Sequence, residues 1–110
     1  MALIEESGGT QTATVTTEHT LATLTNVKTY VLVVDTSAMV AGDELELRVY
    51  TKTRSGNASQ LAWIFSYAHA QEELNKYSLP VPANIEAKFT LKQTAGTSRN
   101  FIWAVLSTDN

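Results

Sequence analysis

Residues 44–53 alternate almost without a break between apolar and polar side chains. Leu45, Leu47 and Val49 fall on one side, and Glu44, Glu46, Arg48 and Lys52 on the other. Successive side chains of a strand point to opposite faces, so this period of two sets the apolar residues on a core and the charges in water. A helix would scatter the same residues around its circumference. Residues 85–92 repeat the arrangement, with Ile85, Ala87, Phe89 and Leu91 inward and Glu86, Lys88, Thr90 and Lys92 outward. The sixteen threonines lean the same way, because a β-branched side chain fits a pleated strand better than a helix.

Other segments are apolar on both sides. Residues 29–35 read as a central strand covered on each face. In residues 60–70, Leu61, Trp63, Phe65, Tyr67 and His69 share one face, backed by the smaller Ala62, Ser66, Ala68 and Ala70 together with Ile64. Residues 100–107 set Phe101, Trp103 and Val105 against Ile102, Ala104 and Leu106. Weaker strand signals lie at residues 10–16, 19–25 and 78–81. Gly56 and Gly96 punctuate these runs and supply the positive φ that tight turns need, and Ala41-Gly42-Asp43 launches the strand at residues 44–53. A short helical turn is expected over residues 36–40, with Met39 tucked under the sheet. Pro80 and Pro82 cannot donate to a ladder, so residues 78–84 read as an edge or crossover.

Seven to eight antiparallel strands at this spacing predict an all-β fold, a single two-sheet β-sandwich of jelly-roll type. The expected core is Leu45, Leu47, Val49, Phe65, Phe89, Leu91, Phe101 and Val105. A chain of 110 residues has room for one such domain, with an expected radius of gyration of about 13 Å. Gly8-Gly9 reads as a hinge, dividing a flexible N-terminal arm, residues 1–9, from a sandwich at residues 10–110.

Several functional classes fit poorly. A net charge of −3 argues against a nucleic-acid surface, which needs clustered lysine and arginine. The absence of cysteine excludes disulfides, thiol nucleophiles and cysteine zinc sites. No apolar run approaches the roughly 20 residues that cross a bilayer, and the acidic start does not resemble a signal peptide. Synthesis and folding in a cytoplasm are expected. The Asn57-Ala58-Ser59 triplet reads as a polar hairpin turn rather than a glycosylation site. His19 and His69 lie far apart with no His-x-His, so the metal site of a cupin-like jelly roll is not expected. A triad from His69, Asp35 or Asp43 and a serine lacks a nucleophile elbow. Glu44 and Glu46 sit beside Arg48, which favours cross-strand ion pairing over glycoside hydrolysis. The chain is expected to be non-enzymatic and to need no cofactor or metal.

Binding roles are left. Trp63, Tyr67 and Trp103 could form a sugar-stacking platform, although their neighbours on the same faces suit a core or subunit interface better. Tyr50 falls on the charged face of the clearest strand and is a candidate partner-binding residue. The row Thr10, Thr12, Thr14, Thr16 occurs once, so a polar edge strand explains it better than an ice-binding ladder. Leu3 and Ile4 are further candidates. As part of an arm they would order against a partner while Glu5 and Glu6 met basic groups, and burying both would contribute ~3–6 kcal/mol before ordering costs. Strands apolar on both faces also predict a homo-oligomer, a dimer or trimer, since one small sandwich has only one interior.

Three stretches, residues 32–35, 39–52 and 89–96, together resemble the short, Thr-rich β-sandwich proteins of tailed-phage virions, in particular capsid decoration or cement proteins. The likeness runs over residues 15–107 and rests on strand pattern. It implies a location on the virion, outside the head, with the major capsid protein and other copies of the chain as partners and no catalytic residues. The alternatives are a head-neck or tail accessory protein, or a carbohydrate-binding β-sandwich module.

Overall fold

The computed structural model describes residues 3–108. Among them every regular element is a strand, nine in all. In chain order they are β1 (Leu3–Thr12), β2 (Glu18–Leu24), β3 (Lys28–Asp35), β4 (Glu44–Thr51), β5 (Gln60–Ala68), β6 (Asn75–Tyr77), β7 (Val81–Ala83), β8 (Ala87–Ala95) and β9 (Asn100–Thr108). They form two antiparallel sheets packed face to face. One runs β1-β9-β3 with β6 and β7 sharing the far edge of β3, and the other runs β2-β8-β4-β5. The expected two-sheet β-sandwich is therefore present. Its Cα radius of gyration is 13.9 Å.

The period-two residues do what their spacing requires. Leu45, Leu47 and Val49 of β4 face Phe89 and Leu91 of β8, and all five are buried. Tyr30, Leu32 and Val34 of β3 and Phe101 and Val105 of β9 close the core from the opposite sheet. Of the eight residues expected in the core, only Phe65 is partly buried, because β5 is the edge of its sheet. Leu91 and Leu47 are direct cross-strand partners, so their alternations lock into one register.

Three expectations need correction. The first is the arm: residues 3–9 belong to β1, which pairs with β9 along its whole length. Gly8 is not a hinge. A Cβ there would stand 3.1 Å from the Trp103 carbonyl oxygen and 3.0 Å from a Glu5 carboxylate oxygen, so the missing side chain lets the backbones approach. A bulge between Glu5 and Ser7 leaves Glu6 unpaired and turns it to Lys28 on β3, 3.3 Å away. The remainder of the expected arm, residues 1–2, and the expected domain end, residues 109–110, lie outside the described residues.

The second correction concerns the segment around the prolines. The strand expected at residues 78–81 is replaced by two short ones, β6 and β7, on either side of the Leu79-Pro80 turn-out. This raises the strand number to nine. Ser78 between them stays attached to β3, its backbone N–H donating to Leu32 O and its hydroxyl accepting from Leu32 N. The third concerns residues 36–40, which make a β-turn closed by Met39 N–H to Thr36 O rather than a helical turn, although Met39 is buried as expected.

Candidate functional site

The two outer faces of the sandwich differ in kind. On the β2-β8-β4 side, Glu18 accepts hydrogen bonds from the hydroxyls of Tyr50 and Thr90, both 2.7 Å. Arg48 lies 3.2 Å from Glu18 and 2.7 Å from Glu46, and the Lys88 ammonium sits 4.5 Å over the Tyr50 ring. Burial alone would raise the Glu18 pKa, but the bonds from Thr90 and Tyr50 and the charge of Arg48 outweigh it and hold the carboxyl below its ordinary value. Three strands thus spend their outward side chains on one another. Thr90, expected in water, is buried under this network.

Among the described residues, the outward side of the β1-β9-β3-β6 sheet has no such network. The register sets three rows of residues across it. One is Glu5, Leu106 and Val31; the next is Gly8, Ala104, Val33 and Tyr77; the third is Thr10, Ile102, Asp35 and Asn75. Ile102 is 60% exposed and Tyr77 59%. In the middle row Gly8, Ala104 and Val33 are small, so the surface there lies lower than Tyr77 at the end of that row and Ile102 in the next. The result is a shallow dish of about 310 Å³ in which Val33, Tyr77, Ile102 and Ala104 are joined by Glu5, Asp35 and Asn75.

The partner-binding candidates of the sequence are not gathered in one place. Leu3, 69% exposed, stands at the start of β1 on the dish side, opposite Thr108. Ile4 points the other way, half-buried opposite the buried Ser107. Tyr50 is on the other sheet, its hydroxyl and ring both engaged within the chain. The residues missing from that set are Ile102, Leu106, Val31, Val33 and Tyr77. Their signal is the double-sided apolarity of residues 29–35 and 100–107, which does not by itself reveal which side faces out.

A third feature closes one end of the sandwich. Asp43, 1% exposed, accepts from Val40 N (3.0 Å), Thr97 N (3.2 Å) and Arg99 Nε (2.9 Å). Burial pushes its pKa up, and these donors more than offset that, so the carboxyl is held below its usual range. Gln93, also buried, donates to Ala95 O and Thr97 O and accepts from Arg99 N. Gly96, at φ +94°, packs so closely on Asp43 that a Cβ would stand 2.7 Å from the Asp43 Cα. His69, at φ 65°, accepts from Gly42 N through Nδ1 and donates its own backbone N–H to Asp43 O. These bonds tie the loops at residues 40–43 and 96–99 to each other and to the end of β8. His19 acts similarly, its Nε2 accepting from Thr14 N at 3.0 Å. No group of three or more His, Cys, Asp or Glu residues is placed to hold a metal ion among the described residues.

A further apolar recess is lateral, between the edge strand β5 and the proline segment. Trp63, Phe65, Leu79, Pro80 and Pro82 line about 310 Å³ open to solvent. Trp63 and Phe65 have ring centroids 5.4 Å apart, tilted by 42°. Trp63, expected in a core or interface, is 44% exposed here, while Trp103 is partly buried against the core.

Comparison of the chain with protein-family models, curated proteins and solved structures finds no match to any of them.

Proposed function

We propose that this chain is a non-enzymatic virion structural protein, a capsid decoration protein that binds the outside of a phage head and stabilises it by protein contacts. The observation that carries this reading is the apolar dish on the β1-β9-β3-β6 sheet. A continuous apolar patch on a well-filled sandwich marks a protein contact, and its shallow form suits a flat shell better than a small molecule. Leu3 extends the patch along β1. The major capsid protein is the proposed partner, with other copies of the chain as the second. Strand order supports a jelly-roll winding: with β6 and β7 counted as one broken strand, the chain crosses between sheets at every step except the β4–β5 hairpin. A head-neck or tail accessory role would use the same face.

The test is co-sedimentation with tailed-phage capsid shells, together with mass spectrometry of purified particles. The chain should pellet with shells and be found in the particles at a stoichiometry set by shell symmetry. Recovery only in the supernatant would refute the reading. One observation favours a second reading, a carbohydrate-binding module: Trp63 is exposed at the lip of the lateral recess and could stack on a sugar ring. A change in tryptophan emission on titration with oligosaccharides, lost in Trp63→Ala, would support that alternative.

A further inference from the structure

The four sheet edges are not equally protected. The β1 and β2 edges each carry a bulge, at Glu6 and Leu21, and β1 adds two glycines. The β6–β7 edge is broken into two three-residue strands and carries Lys76 and Pro82. These are the usual devices that stop a sheet from recruiting another chain. The β5 edge has less. It is nine residues long, holds no charge and no proline, and after a bulge at Ala62 its pairing with β4 is regular from Trp63 to Ala68. Leu61, Trp63 and Ile64 are all exposed on it, Ile64 to 45%.

The charges lie at its ends, and their signs differ. The turn before β5, residues 52–59, carries Lys52 and Arg54 and no acid. The segment after it, residues 69–74, carries Glu72 and Glu73 and no basic residue other than His69. Lys76, one step further, is turned onto the Tyr67 ring at 5.2 Å. None of Lys52, Arg54, Glu72 and Glu73 belongs to an ion pair among the described residues. A strand that is basic before its start and acidic after its end is complementary to itself only when antiparallel. A parallel neighbour would set like charges together.

We infer that β5 is a self-association edge. Two copies of the chain pair β5 to β5 about a two-fold axis and join their four-stranded sheets into one of eight strands. The occupant of the edge is a second copy because the antiparallel arrangement brings Lys52 and Arg54 of each subunit toward Glu72 and Glu73 of the other, twice, with a neutral strand between them. An axis at Phe65 sets Trp63 opposite the partner's Tyr67 on the core side and Ile64 opposite the partner's Ser66 outside, so inward residues stay inward across the junction. This deepens the proposed function by naming the surface of self-contact, and it rests on that reading only for the expectation that copies associate. The dish is left free for another protein.

The experiment is sedimentation equilibrium of the full chain without shells, with circular dichroism confirming that each variant is folded. The wild-type chain should dimerise, and added salt should weaken the dimer. Ile64→Lys places a charge on the edge at an exposed position and should leave a folded monomer. Lys52→Glu with Arg54→Glu should weaken association about tenfold, as should Glu72→Lys with Glu73→Lys. All four together should recover it, because the complementarity is restored with signs exchanged. Ile102→Lys, on the dish, should dimerise as the wild type does. A monomeric wild type at 100 μM would overturn self-pairing and leave shell binding to be judged by co-sedimentation. A dimer that survives Ile64→Lys, or is lost in Ile102→Lys, would overturn the β5 edge while keeping self-association. Failure of the fourfold exchange to recover binding in a folded protein would overturn the antiparallel arrangement.

Discussion

The two outer faces of this sandwich share one strand geometry and one pleat, yet they use their outward side chains differently. On the β2-β8-β4 face, Glu18, Arg48, Glu46, Tyr50 and Thr90 satisfy one another. On the β1-β9-β3-β6 face, the side chains of Ile102, Ala104 and Val33 have no polar group to pair, and Tyr77 is 59% exposed. An outward alternation is thus no guarantee of either water contact or a binding role. What separates the two is whether cross-strand neighbours complete each other. The first face should carry stability, and the second should carry contact with another molecule.

Removing the end cluster gives the comparison its scale, since that is where polar groups are most buried. Asp43→Ala should cost about 2–4 kcal/mol, because three donors lose their acceptor and Arg99 loses its partner. Chemical denaturation would measure it, and a loss below about 1 kcal/mol would show that the loops hold without the carboxylate. Glu18→Gln should cost less, about 1 kcal/mol, since the site is partly open to solvent. The smallest expected effect belongs to the dish: Ile102→Lys should change stability by no more than about 0.5 kcal/mol, as for other exposed positions. A large loss there would mean that the apolar face supports the fold.

Acid sharpens the same contrast. Asp43 and Glu18 both have folded pKa values below their ordinary ones. Each therefore contributes stability that is complete above the unfolded carboxylate pKa, near 4, and is lost as pH falls through the lower folded value. Unfolding free energy should drop from about pH 5 downward, and the drop should be shallower in Glu18→Gln. An unchanged slope would remove Glu18 from the acid response.

Much of the sandwich is legible in the sequence, for physical reasons that can be named. Leu45, Leu47 and Val49, or Phe89 and Leu91, declare their burial because alternation is a local property and the core has one side. The first half of β1 is not legible, because Gly8-Gly9 and Glu5-Glu6 look unlike a strand in isolation. Its strand character comes from β9 near the other end of the chain, where Thr108 pairs with Leu3 and Leu106 with Glu5. The β5 aromatics look interior in the pattern, because a pattern cannot say that a strand is an edge. Tyr50 is legible as facing outward, but the Glu18 and Lys88 beside it follow from register across three strands. Asp43 stands out in sequence only at the launch of a strand and as one of two acids for an unsupported triad, and its donors come from loops whose meeting no spacing reveals.

The division of labour between the faces is tested most directly by co-sedimentation of Ile102→Lys and Glu18→Gln with capsid shells, at equal concentration and below the melting temperature of each. Ile102→Lys, fully folded, is predicted to stay in the supernatant, while Glu18→Gln, less stable, pellets like the wild-type chain. Retention of shell binding by Ile102→Lys together with its loss in Glu18→Gln would contradict that division, and would place the contact on the face that the chain has already filled with its own hydrogen bonds.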